Sequence, residues 1–344
     1  MTLRVTPFEG EAREWDAAVR SWPGWTHNHL FGWRGIMAEV MGHETIYLAA
    51  RDAAGVIRGV LPLVRVRSVV FGHYLVSMPF LNYGGPLGDD DAVRALAEHA
   101  AALARDGGVK LLELRSRREL PLDLPVSHRK ITVVLDLPPG DPDALFASLK
   151  GKLRSQVRRP QKEGVSVRFG PDMVDPFFAV FSAHMRDLGT PTQSRRLFEA
   201  IARVFPQDSW FGVAWLGDRP VAAGCGFAWS GEFEMIWASS LAEYNRIAPN
   251  MALYWAFMER AAREKLGLFN FGRCTPGSGT HRFKQQWGSR DEQLFWYQQA
   301  AGGATEAATP SPDQGRWAWG PRIWQRLPLP VANLLGPRIV RLIP

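Results

Sequence analysis

Two stretches of this chain, about half its length apart, run through the same succession of patterns: strand, strand, strand, helix, strand. In the first, apolar runs at 45–50 and 56–66 flank an Asp52-Ala53-Ala54-Gly55 turn, and a third run follows at 69–78. Residues 91–105 then place Val93, Leu96, Ala97, Ala100 and Leu103 on one helical face, and 109–114 is strand-like. In the second, the runs are 210–215, 221–229 and 232–239, parted by turns at 216–220 and Ser230-Gly231. A loop through Tyr244 and Asn245 leads to a helix over 249–265, and 268–271 closes the unit. Such a repeat predicts an α/β chain of two tandem domains of one kind, each a mixed, largely antiparallel sheet flanked by helices. The alternative is chance recurrence of common motifs.

The boundaries this suggests are 1–136 and 137–300, followed by a low-complexity linker at 301–315 and a tail at 316–344. Between the repeats, 141–161 has the pattern of one helix, with Asp141 as N-cap, Pro142 at the first position and Pro160 to end or kink it. A strand at 165–169 and helices at 173–187 and 193–205 complete the second domain.

With 46% hydrophobic and 22% charged residues the chain can build an ordinary globular core. Its two cysteines, Cys225 and Cys274, form neither a C-x-x-C pair nor a zinc set, which fits a reducing cytoplasm. The first residues lack a basic and apolar leader pattern, and no apolar stretch reaches spanning length, so a cytoplasmic protein is expected. A formal net charge of +7 favours anionic partners: nucleic acid, coenzyme or nucleotide phosphates, or an acidic membrane surface.

Candidate functional groups follow from charge and loop chemistry. Lys150, Arg154 and Arg158 lie four apart on one helical face and could meet phosphates; a solvated outer face is the equal alternative. Arg186 precedes a Gly189-Thr190-Pro191 turn, where it could grip a diphosphate or simply pair with Asp187. The Gly84–Gly88 loop favours a structural turn, leaving Asn82 and Tyr83 as ligand contacts. Most informative is 270–288, NFGRCTPGSGTHRFKQQWG: a strand end, a small-residue loop, then Lys284 between Phe283 and Trp287. Lys284 could present a fixed charge to a phosphate or a developing oxyanion, with Arg273 and Arg282 adding to the field. Ser278 lies in no G-x-S-x-G elbow, Cys274 suits a packed thiol, and the histidines show no metal-ligand spacing. Residues 316–344 hold five arginines among Trp, Leu and Ile and no acid, which suits either an anionic membrane interface or packing on the protein.

Several of these motifs occur together in one family. KGKLRSQVRRPQKEGVSV, RDLGTP, the Tyr244-Asn245 loop and FNFGR…GSGTHRFKQQWG resemble FemAB-related proteins, particularly those associated with PEP-CTERM/exosortase systems, as does the tail IWQRLPLPVANLLGPRIVRLIP. The resemblance implies two tandem GNAT-like domains, with acyl transfer centred on the second. It implies an acyl- or aminoacyl-transferase acting on an amino group of a cell-envelope or exopolysaccharide-related acceptor, phosphate-bearing or lipid-linked. Lys284 carries over as the essential cation and Arg186 as a diphosphate contact, while His29, Trp33 and Arg34 fall where the first domain begins its family-like helix. No tightly bound cofactor is implied; acyl-CoA or aminoacyl-tRNA is the co-substrate, and transfer RNA is therefore a candidate partner. The long charged coiled-coil insertion of some members is absent, and so is the R-x-x-G-x-G/A pattern for coenzyme A pyrophosphate, so the donor stays open. The rival is a non-enzymatic module holding an anionic envelope precursor or nucleic acid.

Overall fold

The computed structural model describes residues 3–301 and 320–343. These fall into two compact units: 3–130 with 293–301 and 341–343, and 131–292 with 320–340.

In the first unit, β1 (Arg4–Pro7), β2 (Glu44–Arg51), β3 (Ile57–Ser68), β4 (Gly72–Val76), β5 (Leu87–Gly88), β6 (Leu111–Ser116) and β7 (Val126–Ser127) share a sheet with β15 (Phe295–Ala300). Its helices are α1 (Ala12–Ser21), α2 (Gly32–Gly35) and α3 (Asp90–Asp106). Strands β2, β3 and β4 form the expected antiparallel meander, and α3 carries the chain across to β6, which lies parallel to β4. Asp89 caps α3 by accepting from the Ala92 N–H at 2.9 Å, so the apolar stripe through Val93, Leu96 and Ala100 starts in register with Leu61, Leu63 and Leu112 beneath it. The third run is shorter than 69–78: Val69 and Val70 are exposed hairpin-tip residues, whose apolar character imitates a strand.

In the second unit the sheet order is β14-β8-β13-β12-β11-β10-β9. These strands are β8 (Ile131–Asp136), β9 (Val165–Phe169), β10 (Ser209–Leu216), β11 (Arg219–Trp229), β12 (Glu232–Ser240), β13 (Leu268–Cys274) and β14 (Arg290–Gln293). The meander β10-β11-β12, the crossover helix α8 (Pro249–Arg263) and the parallel strand β13 repeat the first unit's topology. Helices α4 (Pro142–Ser148) and α5 (Gly151–Lys162) pack with α8 on one face, where Trp210 stacks on Phe233. Phe211, the next residue along, meets Phe177 of α6 (Val174–Asp187) on the other, which α7 (Arg195–Val204) also covers. After α9 (Gly279–Gln285) come α10 (Gly320–Trp324) and α11 (Leu329–Val340), short because prolines interrupt the tail.

Three expectations change. Residues 131–136, assigned by sequence to the first domain, pair with β13 in the second sheet, and 295–300, assigned to the second, pair with β6 in the first. Each crossover strand thus has its open edge covered by a strand from outside its own repeat, which satisfies the backbone groups there. The single helix at 141–161 is two, because Leu149 and Lys150 leave helical geometry (ψ 143° and 144°). Asp141 does cap it, accepting from Ala144 N–H at 2.8 Å, and Pro160 sits in the last turn of a helix that runs on to Lys162. The expected linker lies, beyond Ala301, outside the described residues, as does the tail before Gly320.

A buried ion pair binds β15 into the first sheet. Arg115 and Glu113 on β6 are 2% and 1% exposed and 2.7 Å apart. Gln298 of β15 donates to the second Glu113 oxygen at 2.7 Å, Arg115 donates to Leu81 O at 3.1 Å, and Trp296 lies under the guanidinium. Removing one partner leaves the other charge buried. Glu113→Ala should therefore lower the unfolding free energy by about 3–5 kcal/mol in urea titration, whereas an exposed pair such as Arg94–Asp91 should lose less than about 1 kcal/mol when cut.

Candidate functional site: the fork between β12 and β13

In the second unit β12 and β13 run parallel only from Glu232–Glu234 against Leu268–Asn270. Each strand then bends by a bulge. On β12, Ile236 is the extra residue between the pairs Met235↔Gly226 and Trp237↔Cys225. Gly226 is needed opposite it, since a Cβ there would run into the Glu234 carbonyl. On β13, the register against β8 shifts between Asn270 and Arg273, and Gly272 takes φ +74°.

Asn270 holds this bend. Fully buried, it accepts from Gly272 N–H at 2.8 Å and from the Thr132 hydroxyl at 2.6 Å, and it donates to Glu232 at 2.8 Å. One amide therefore ties β13 to β12 and β8 and caps its own bulge. The bulge turns the carbonyls of Gly272 and Arg273 toward α9, where the Lys284 ammonium donates to them at 2.6 and 3.0 Å. Lys284 is 6% exposed, and burial pushes its pKa down to about 8 against the opposing fields of Cys274 and Glu234. Two of its three protons are given to the backbone, which aims the head group and leaves a third for a ligand.

Packing keeps α9 in place. Phe283 meets Tyr254 of α8 edge-on at 5.0 Å, and Phe271 stacks on the same ring. Ser278 caps α9, while His281 accepts from Gly277 N–H at 2.9 Å and donates from its other nitrogen to Asp291 at 2.9 Å. Both ring nitrogens are thus used to pin the 275–280 loop, and Ser278 has a capping role. On the diverging end of β12, the buried hydroxyls of Ser239 and Ser240 have no hydrogen-bond partner, and α8 begins after the loop that follows. Among the described residues no group of three or more His, Cys, Asp and Glu is placed to hold a metal ion.

The corresponding fork in the first unit is stitched shut. Beyond the β4–β6 pairs, Ser77 N–H donates to Glu113 O at 2.9 Å, Arg115 N–H to Ser77 Oγ at 2.7 Å, and Gly85 N–H to Arg115 O at 2.7 Å.

The remaining sequence candidates divide accordingly. Arg273 lies at the β13 bulge, where its carbonyl accepts from Lys284, while Tyr244 and Asn245 occupy the 3₁₀ turn between β12 and α8, with Tyr244 hydrogen-bonded to Arg219. Arg154 instead donates to the Ala147 and Leu149 carbonyls, capping the end of α4, and Arg158 lies over the Phe146 ring at 4.9 Å. Arg186 takes the simpler alternative, pairing with Asp187 at 2.6 Å on α6, the sheet face opposite α8. In the first unit, Asn82 and Tyr83 are buried, the latter with Leu294 and Trp296. His29 is buried, accepts from Thr26 N–H at 3.1 Å and reaches Gly85 O at 3.0 Å from its other nitrogen. Burial lowers its pKa to about 4, so it is a neutral structural brace. Arg34 stacks over Phe31 and Tyr47 and donates to Phe8 O. What the sequence reading missed was Asn270, Gly272 and Glu234; the signal was an Asn-x-Gly inside an apolar strand, a bulge mark.

Comparison with known proteins gives the fold a context. The acetyltransferase (GNAT) domain family matches residues 147–285, which contain the whole fork and Lys284. No curated protein matches the sequence. Among solved structures, FemX is similar with a TM-score of 0.64 at 14% identity, over 86% of this chain and 97% of its own. L-PGS from Bacillus licheniformis follows at 0.56 and 11%, over 97% of both chains. A tandem GNAT protein from the clavulanic acid biosynthesis pathway gives 0.52 and 15%, over 88% of this chain and all of its own.

Asn270→Ala removes the acceptor that the Gly272 N–H and the Thr132 hydroxyl share in the interior. It should cost about 2–3 kcal/mol in denaturant unfolding, and Gly272→Ala about 1–2 kcal/mol through its left-handed backbone. Residues 147–285 thus match the acetyltransferase (GNAT) domain family, within a fold similar to those of FemX and of a tandem GNAT protein.

Proposed function

We propose that this protein transfers an activated acyl or aminoacyl group to an amino group on a phosphate-bearing acceptor of cell-envelope or exopolysaccharide synthesis, with the fork of the second unit as the transfer site. The observation that carries the reading is a buried ammonium, Lys284, aimed by two backbone carbonyls at the point where two parallel strands part. Strands that separate offer backbone groups to an extended amide-bearing donor, as a further strand would. The GNAT family match over 147–285 supports acyl transfer. Likeness to FemX and L-PGS supports the finer choice of an envelope acceptor, and the net charge of +7 suits phosphate on either substrate.

In this reading the acceptor amine attacks the acyl carbon of a thioester or ribose ester. A C–N bond forms, the carbonyl oxygen gains the negative charge, and collapse breaks the C–S or C–O bond. One proton of the attacking amine passes to the departing thiolate or alkoxide. Lys284 stabilises the oxyanion with its third proton, a contribution that vanishes when the side chain is neutral. No covalent enzyme intermediate is needed, in keeping with the structural use of Ser278 and His281.

The test is transfer of label from acyl-CoA and from aminoacyl-tRNA to amine acceptors. A binding module would move no label from either. Lys284→Ala should keep its circular dichroism and lose about 10²–10³-fold in kcat; full activity in a folded variant would sink the assignment. The pH profile gives the sign independently. Lys284 is charged below its pKa of about 8, so a charge-stabilising role predicts activity that falls as pH rises through about 8. A rise there that Lys284→Ala abolishes would indicate a general base instead.

A further inference from the structure

Helix α11 lies on the second unit the wrong way round for a soluble protein. Its buried residues are the small ones: Ala332 is 1% exposed, and Gly336 sits so close to α6's following segment that a Cβ would come within 2.9 Å of the Thr192 backbone. The large apolar residues face out. Val331, Leu334 and Leu335 are 39%, 61% and 38% exposed, and with Arg338 they follow the i, i+3, i+4, i+7 spacing of one helical face. Ile323 on α10 adds 52% exposure, and Leu188, beside the Gly189 that abuts Pro321, adds 55%.

Cations flank this patch. Arg322 and Arg326 precede it, Arg338 ends it, and residues 316–344 contain no Asp or Glu. Asp187, whose carbonyl accepts from Gln325, has its carboxylate taken by Arg186. An apolar stripe bordered by arginines, with the neighbouring Asp187 carboxylate already paired, matches the boundary of an anionic bilayer, where acyl chains take the leucines and lipid phosphates the guanidinium groups. A second copy fits less well, because a twofold interface through this face would set arginines against arginines. Among the described residues no helix is long and apolar enough to cross a membrane, so the contact is one of lying on the surface.

We infer that α10 and α11 form a membrane-docking face that holds the second unit on anionic lipid through Ile323, Val331, Leu334 and Leu335, with Arg322, Arg326 and Arg338 on the headgroup phosphates. The inference stands apart from the transfer reaction, since lipid binding can be read without it.

The experiment is co-sedimentation of the full chain with phosphatidylcholine vesicles, with and without one part in four of phosphatidylglycerol. The protein should bind the anionic vesicles and leave the neutral ones largely unbound. Leu334→Glu with Leu335→Glu, at positions already exposed, should keep the circular dichroism and lower the partition coefficient at least about tenfold. Neutralising Arg322, Arg326 and Arg338 to Gln should lower it roughly fivefold per site and remove most of its salt dependence. Absence of binding to anionic vesicles, or binding unchanged by the double glutamate variant, would overturn the inference. So would a wild-type dimer in light scattering that the same variant dissociates, because the face would then be a contact between copies.

Discussion

One buried amide governs the site. Asn270 satisfies a hydroxyl on β8, a carboxylate on β12 and the N–H of its own bulge, all inside a hydrophobic sheet where an unmet partner is expensive. Because those bonds fix Gly272 in a left-handed conformation, the β13 carbonyls turn out of the ladder. Lys284 follows from that: without carbonyls facing α9 its ammonium would have no reason to stay in the interior. The position of the proposed reactive group is thus set from β13, where the carbonyl of Gly272, twelve residues earlier in the chain, accepts from the Lys284 ammonium.

The elements were legible in the sequence because they rest on local periodicity. The strand at 165–169, the meander of the second unit and the start of α8 at Pro249 lie where apolar spacing puts them. Pairing was not legible. Nothing in ITVVLD distinguishes a last strand of one domain from a first strand of the next, since its alternation suits either sheet. What decides is an edge elsewhere: β13 is covered by β8, and β6 by β15, whose Gln298 completes the charge network of Glu113 and Arg115. Such information is carried by contacts far apart in the chain.

The candidate site shows the same division. Lys284 stood out as a cation set between Phe283 and Trp287, and the fold does bury it. Arg154 and Arg158 stood out only as density of charge, and their guanidinium groups serve the break between α4 and α5. A run of arginines does not reveal whether helix ends will consume it. The helix break itself was hidden, since the leucine spacing continues through Leu149 to Leu153 across the two helices.

Duplication makes the fork more telling. Both units carry a meander, a crossover helix and a parallel strand, so both inherit the place where strands begin to part. In the first unit the chain after β4 turns back through Met78 and Phe80, both at positive φ, and Ser77 and Gly85 close the gap with backbone hydrogen bonds. Left-handed geometry at two large side chains costs on the order of 1–2 kcal/mol each, strain that the surrounding packing has to offset. In the second unit the strands separate beside a buried lysine whose ammonium two backbone carbonyls hold against the desolvation that lowers its pKa. The first fork is closed by backbone and serine hydrogen bonds, whereas the second holds a buried ammonium on two carbonyls of β13, so the same topology ends in two different local solutions.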